Sequence, residues 1–132
     1  MKQLTVLVPN QPGQIARITE ALAAQGINVE DFDVESNGAD GLISLTVDRY
    51  DDALRALRDA GLKAVTQDTL LIRLEDKPGA LAAIAARLKN EGLDVRSMHI
   101  VRRHGNVSIA SLVTHDNAKA SSVLSDVLIL GT

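Results

Sequence analysis

Apolar residues alternate at Leu4, Val6 and Val8, and then recur three and four apart at Ile15, Ile18 and Leu22. The first spacing predicts a strand with one buried face, the second a helix with one buried stripe. Both return later, at Leu70, Ile72 and Leu74 and at Leu81, Ile84 and Leu88. Gly26 and Gly92 stand where each helix needs a left-handed residue to end. The next strand changes phase in both places: Ile27 and Val29 share one parity, Phe32 and Val34 the other, as do Leu93 and Val95 against Met98 and Ile100. A bulge at Glu30-Asp31 and Arg96-Ser97 explains this, and so does a loop that ends later. Hairpin turns follow at Asn37-Gly38-Ala39-Asp40-Gly41 and His104-Gly105-Asn106. Third strands are expected over Leu42–Val47 and Val107–Val113, second helices over 51–60 and 117–126, and last strands over Leu62–Thr66 and Leu128–Leu130. The last of these is expected to be cut short by the chain end at Thr132.

The chain is thus one unit written twice. Pro12-Gly13 returns as Pro78-Gly79 sixty-six residues later, and twice that offset is the chain length of 132. Without a gap, the repeat aligns Ile18/Ile84, Leu22/Leu88, Gly26/Gly92, Ile43/Ile109, Val47/Val113 and Leu62/Leu128. Two domains are expected, 1–66 and 67–132, each strand-helix-strand-strand-helix-strand. That order gives an α+β, ferredoxin-like βαββαβ unit: a four-stranded antiparallel sheet with both helices on one face. A unit this small buries only about 60% of its unfolded surface, so each is expected to lean on another unit or a second chain.

Composition narrows the function. The net charge of −3 argues against nucleic acid as a main partner, and one Phe and one Tyr make no platform for stacked bases. The charge is uneven, with 6 Lys/Arg against 10 Asp/Glu in residues 1–66 and 8 against 7 in residues 67–132. With no cysteine there is no disulfide or thiol chemistry. No apolar run approaches the roughly 18 residues of a membrane helix, and no signal-peptide pattern opens the chain. A cytoplasmic protein without a membrane partner is expected.

The candidate chemistry lies in the turns before the first helices, Asn10-Gln11-Pro12-Gly13 and Asp76-Lys77-Pro78-Gly79. Proline fixes φ, glycine admits a close partner, and the unpaired amides of the helix start favour an anion. A plain helix start has the same sequence. Asn28, with Asp94 in the second copy, enters the kinked strand. An asparagine there can both donate to a carboxylate and accept from an amino group, whereas an ionised Asp94 can only accept. Turn formation after the glycine accounts for both residues as well.

The run Asn10-Gln11-Pro12-Gly13-Gln14-Ile15-Ala16-Arg17-Ile18 with Gly26-Ile27-Asn28-Val29 closely resembles the ACT domain. Asp76-Lys77-Pro78-Gly79-Ala80-Leu81-Ala82-Ala83-Ile84 with Gly92-Leu93-Asp94-Val95 resembles it again, and the two versions span the chain. The resemblance implies regulatory modules that bind amino acids or similar metabolites between paired domains, whose sheets can run side by side as one of eight strands. By position it implies ligand contacts at Asn10, Gln11, Pro12, Gly13 and Asn28, and at Asp76, Lys77, Gly79 and Asp94. The first copy departs from the family's acidic turn residue with Asn10, and the second carries Asp94 where the family often has Asn. A single active site is therefore expected, formed by Gln11–Gly13, Asn28 and residues across an interface.

Other chemistry has little behind it. His99, His104 and His115 lack metal-ligand spacing, Arg102-Arg103-His104 reads as a solvated basic hairpin, and Asp31, Asp33 and Glu35 share one strand face. No nucleophile, metal cluster or phosphate loop is recognisable, so no cofactor and no enzymatic activity are expected. Two readings follow. The first is an amino-acid sensor that acts as a homodimer on a metabolic enzyme, on another regulator, or on its own assembly. The second is a docking subunit of a metabolic enzyme without a ligand of its own, of the scale of the small regulatory subunit of acetolactate synthase.

Overall fold

A computed structural model describes residues 2–131; Met1 and Thr132, the position at which the last strand is expected to be cut short, lie outside the described residues. The chain divides between Gln67 and Asp68 into two units. The first comprises β1 (Leu4–Pro9), α1 (Gln14–Ala23), β2 (Val29–Asn37), β3 (Asp40–Val47), α2 (Tyr50–Asp59) and β4 (Lys63–Val65). The second comprises β5 (Leu70–Glu75), α3 (Ala80–Asn90), β6 (Val95–His104), β7 (Val107–Thr114), α4 (Asn117–Val123) and β8 (Leu128–Leu130). The sheets are antiparallel with strand orders β2-β3-β1-β4 and β6-β7-β5-β8, the βαββαβ topology twice.

In the first unit the inward residues of the central strands, Leu4, Val6, Ile43 and Leu45, pack with Ile18 and Leu22 of α1 and with Ala53 and Leu57 of α2. In the second, Leu70, Ile72, Ala110 and Leu112 pack with Ile84, Leu88, Ala120 and Leu124. Three helices end by one device. The amides of Ile27, Leu62 and Leu93 reach back to the carbonyls of Leu22, Leu57 and Leu88 at 3.0, 3.0 and 2.9 Å. The preceding glycines, Gly26, Gly61 and Gly92, take φ of 67°, 80° and 68°. This closure needs a left-handed residue followed by an apolar one that drops into the core.

The phase change in the second strand is a bulge in both units. Val29 pairs with Val47 and Asp31 with Thr46, so Glu30 is the extra residue. Val95 pairs with Thr114 and Ser97 with Val113, which makes Arg96 extra. Asp31, Asp33 and Glu35 then face away from the helices, opposite Thr46, Ser44 and Leu42.

Four expectations are corrected. A second bulge in β6, between Ile100 and Arg102, adds one residue, so the repeat is gapless only up to that point. Beyond it the partners shift: Leu4 pairs with Leu45 but Leu70 pairs with Leu112, which aligns Ile43 with Ala110 and Val47 with Thr114. Ile109 pairs with Arg73 on the face without helices, and not with the core as Ile43 does. After α4, which ends at Val123 and not at 126, the chain is three residues shorter than in the first unit, since Leu128 stands opposite Ile72 where Ala64 stands opposite Val6. The amide of Val127 turns back to the Leu124 carbonyl, so Leu128 enters β8 opposite Ile72 while Leu62 closes α2. Finally, Ile15 and Leu81 do not join the buried helix stripes; they are 45% and 43% exposed, in the first turns of α1 and α3.

Candidate functional site

The turn between β1 and α1 is built by short-range bonds. The Asn10 amide donates to the Ala39 carbonyl at 2.8 Å, its side-chain Nδ2 to the Gly38 carbonyl at 3.3 Å, and the Gln11 amide to the Pro9 carbonyl at 2.8 Å. The turn is thereby tied to the β2–β3 hairpin. Gly13 then opens α1 in the left-handed region at φ 90°, where a residue with a Cβ is strained. The Gly13 carbonyl receives the first helical bond, from the Arg17 amide at 3.0 Å. The amides of Gln14, Ile15 and Ala16 have no carbonyl one turn before them and point out of the helix end.

The start of the helix borders a cleft of about 170 Å³ whose walls include Asn10, Gln11, Pro12, Gly13, Gln14, Ile15, Val34 and Ser36. Ile15 and Val34 are 45% and 47% exposed and form an apolar wall. Gln14 also lines the cleft, while its Oε1 is buried away from solvent and receives no hydrogen bond within the protein. A Cβ built on Gly13 would meet nothing within 4 Å, so the space beside the turn is open. Backbone donors and an apolar wall within one cleft can hold a small carboxylate with an apolar side chain.

Four sequence-derived residues, Asn10, Gln11, Pro12 and Gly13, are therefore brought together in this cleft. Asn28 is not among them. It precedes β2 at the end of the sheet far from the turn, exchanging bonds with Asp48. Gln14, Ile15, Val34 and Ser36 were not singled out in the sequence. Ile15 and Val34 fit a core periodicity there, and only the geometry shows that they overhang it.

The second turn has the same backbone, with Gly79 at φ 88°, but its charged groups hold one another. Lys77 Nζ lies 2.8 Å from a Glu75 carboxylate oxygen and Arg103 Nε 4.0 Å from Asp76. The hydrogen bond between Lys77 and Glu75 lowers the carboxyl pKa and raises that of the ammonium. Asp94 faces Arg96 at 4.0 Å, and its amide donates to His115 Nδ1 at 3.0 Å. Among the described residues no group of three His, Cys, Asp or Glu could hold a metal ion. No helix among them is long and apolar enough to cross a membrane.

Residues 2–61 match the family model of the ACT domain. Over 97% of the chain, the fold is similar to a protein from Bacteroides thetaiotaomicron, with 27% identity, 90% of that chain covered and a TM-score of 0.50. The regulatory subunit of aspartate kinase from Thermus thermophilus, in its ligand-free form, aligns with 94% of this chain and 87% of its own at 22% identity and a TM-score of 0.45. The small subunit of acetolactate synthase from Thermotoga maritima aligns over 98% and 89% at 12% identity and a TM-score of 0.42. No curated protein matches the sequence.

Proposed function

We propose that this chain, whose first unit belongs to the ACT domain family, is a regulatory protein that binds an amino acid in the cleft beside Gly13. The observation that carries the reading is the cleft itself: the turn from Asn10 to Gly13 and the exposed pair Ile15 and Val34 line one cavity. In this reading the ligand carboxylate accepts from the amides at the start of α1, each such bond contributing about 1.5–3 kcal/mol. The ligand side chain lies on Ile15 and Val34. Asn28 of a neighbouring ACT-like unit completes the site. Ligand binding then favours one association of units over another, and the regulated partner responds to that shift. The chain acts without catalysis, as a homodimer.

A thermal-shift screen of the full chain against the twenty amino acids, followed by calorimetry, tests this reading. One selective amino acid with a Kd of about 1 µM to 1 mM is expected. No stabilisation by any of them overturns it.

The second reading, a docking subunit for a metabolic enzyme, draws on the other unit. There Leu81, Val95 and Ile100 are exposed apolar side chains, 43%, 40% and 36% accessible, and the charges of the turn before α3 are already paired. Capture of one enzyme from cell extract, unaltered by any amino acid, is the outcome that separates it from the first.

A further inference from the structure

The chain enters the second strand of each unit through the same exchange of bonds, closed by unlike side chains. In the second unit the Asp94 amide donates to His115 Nδ1 at 3.0 Å, and the His115 amide donates to the Asp94 carbonyl at 3.1 Å. In the first, Asn28 and Asp48 exchange the same two bonds, with a carboxylate oxygen of Asp48 as the side-chain acceptor. The residues correspond. Asp94 stands sixty-six after Asn28, and His115 sixty-seven after Asp48, the offset that the extra residue in β6 imposes on β7.

The two acceptors differ in what a proton does to them. A carboxyl group keeps an oxygen able to accept whether or not it is ionised. An imidazole accepts at Nδ1 only while it is neutral with its proton on Nε2; once charged it carries an N–H on both nitrogens. Charging His115 therefore sets one donor against another, and the Asp94 amide loses its side-chain partner. Imidazoles ordinarily charge between about pH 8 and 5.

Charged groups on three elements bear on the ring. Asp94, which leads into β6, faces Arg96 at 4.0 Å. Asp116 Oδ1 accepts from the Lys119 amide at the start of α4 at 3.1 Å, and Lys119 Nζ donates to the Glu91 carbonyl at the end of α3 at 2.8 Å. The two carboxylates attract a cationic ring and the two cations repel it, but none of these groups accepts from the Asp94 amide. His115 is exposed, so a charged ring can turn to water. Little else fastens the chain there. β6 is an edge strand, its first residue Val95 pairs with Thr114, and Arg96 is the extra residue of the bulge.

We propose that the His115 clip is a pH-sensitive joint: protonation of the imidazole releases the entry of β6 in the second unit, while the Asp48 clip goes on holding β2 in the first. Acid thus loosens one edge strand of the two, at the end that carries the exposed Val95. The joint is independent of the cleft beside Gly13.

Nuclear magnetic resonance of the full chain, following amide and imidazole nitrogens from about pH 8 to 5, tests it. At the alkaline end the His115 ring is expected as the tautomer with its proton on Nε2. As the ring charges, the Asp94 amide resonance should move with the same midpoint. Its protection from hydrogen exchange should fall about three- to tenfold, the loss of one ordinary hydrogen bond, while the Asn28 amide keeps its own. His115→Asp copies the first unit's acceptor and should keep the Asp94 amide protected across the whole range. A neutral ring with its proton on Nδ1 overturns the proposal from the parent protein alone. So does an equal change at Asn28, or a response at Asp94 that persists in His115→Asp.

Discussion

Asn28 and Asp48 hold each other by two bonds: the Asn28 amide donates to Asp48 Oδ1 at 3.0 Å, and the Asp48 amide donates to the Asn28 carbonyl at 3.2 Å. The clip fixes the chain just before the bulge at Glu30, and so sets the direction in which β2 starts. Its counterpart in the second unit joins Asp94 and His115 by the same two bonds, at 3.0 and 3.1 Å, with an imidazole nitrogen in place of the carboxylate oxygen. Different side chains at the repeated position supply the one property the backbone needs, an acceptor.

Asp48→Ala removes that acceptor and should cost about 0.5–1.5 kcal/mol, whereas Asp48→Asn, which keeps a carbonyl oxygen in reach, should stay close to the parent protein. Urea unfolding of the three proteins reads the difference. Equal losses in both variants would mean that the charge of Asp48, and not its hydrogen bond, supports the strand entry.

The cores make a firmer prediction. Ile18 is fully buried and Leu88 is 1% exposed, each between its helix and its own sheet. Truncation of either to Ala loses transfer free energy and leaves a cavity, so each should destabilise its unit by about 2–5 kcal/mol. Hydrogen exchange resolved by residue checks this within each unit. A loss below 1 kcal/mol at either position would show that the neighbouring side chains collapse into the space.

The periodic parts of this fold were legible in the sequence because one side chain decides each position. The alternation at Leu4, Val6 and Val8 and the stripe of Ile18 and Leu22 both meet the core as their spacing requires. The bulge at Glu30 announced itself as a change of parity for the same reason. The extra residue in β6 did not, since Ile100 and Val101 are both apolar and either could face the core. Of the site, the turn from Asn10 to Gly13 was readable from its backbone demands. The wall of Ile15 and Val34 was not, because periodicity reports which face a residue occupies and not where the opposing layer stops. The guanidinium bridge from Arg87 on α3 to Asp126 in the turn after α4 joins residues 39 apart in sequence, and no local pattern marks it.

That bridge should make the second unit sensitive to acid. The hydrogen bond from Arg87 lowers the Asp126 pKa, and its return effect raises that of the guanidinium. A carboxyl whose pKa is lower in the folded state stabilises that state above its unfolded pKa and loses this contribution as pH falls through the folded value. Asp126→Asn should therefore be less stable than the parent at neutral pH, and the gap should close at pH values below the ordinary carboxylate range. The pair is largely exposed, so the gap is expected to be small and to shrink with added salt. Melting temperatures of both proteins across this range test it, and a gap that does not change with pH would exclude the carboxylate as its source.

The two left-handed glycines at the helix starts offer the sharpest separation of structure from function. Gly13 and Gly79 share the same conformation, φ 90° and 88°, and a Cβ at either would meet nothing within 4 Å. Valine at either position should therefore cost similar stability, about 1–2 kcal/mol from the backbone alone. The surroundings differ. Beside Gly13 a cleft opens onto the exposed Ile15 and Val34, whereas beside Gly79 the turn residue Lys77 is paired with Glu75 and Asp76 lies near Arg103. If the ligand binds beside the first turn alone, Gly13→Val should abolish its binding and Gly79→Val should leave both affinity and stoichiometry unchanged. Calorimetry with the amino acid found in the screen, run on both variants beside their melting curves, separates a lost site from a lost fold. Equal weakening in the two variants would mean that both turns hold ligand, and unchanged affinity in Gly13→Val would remove the cleft from consideration.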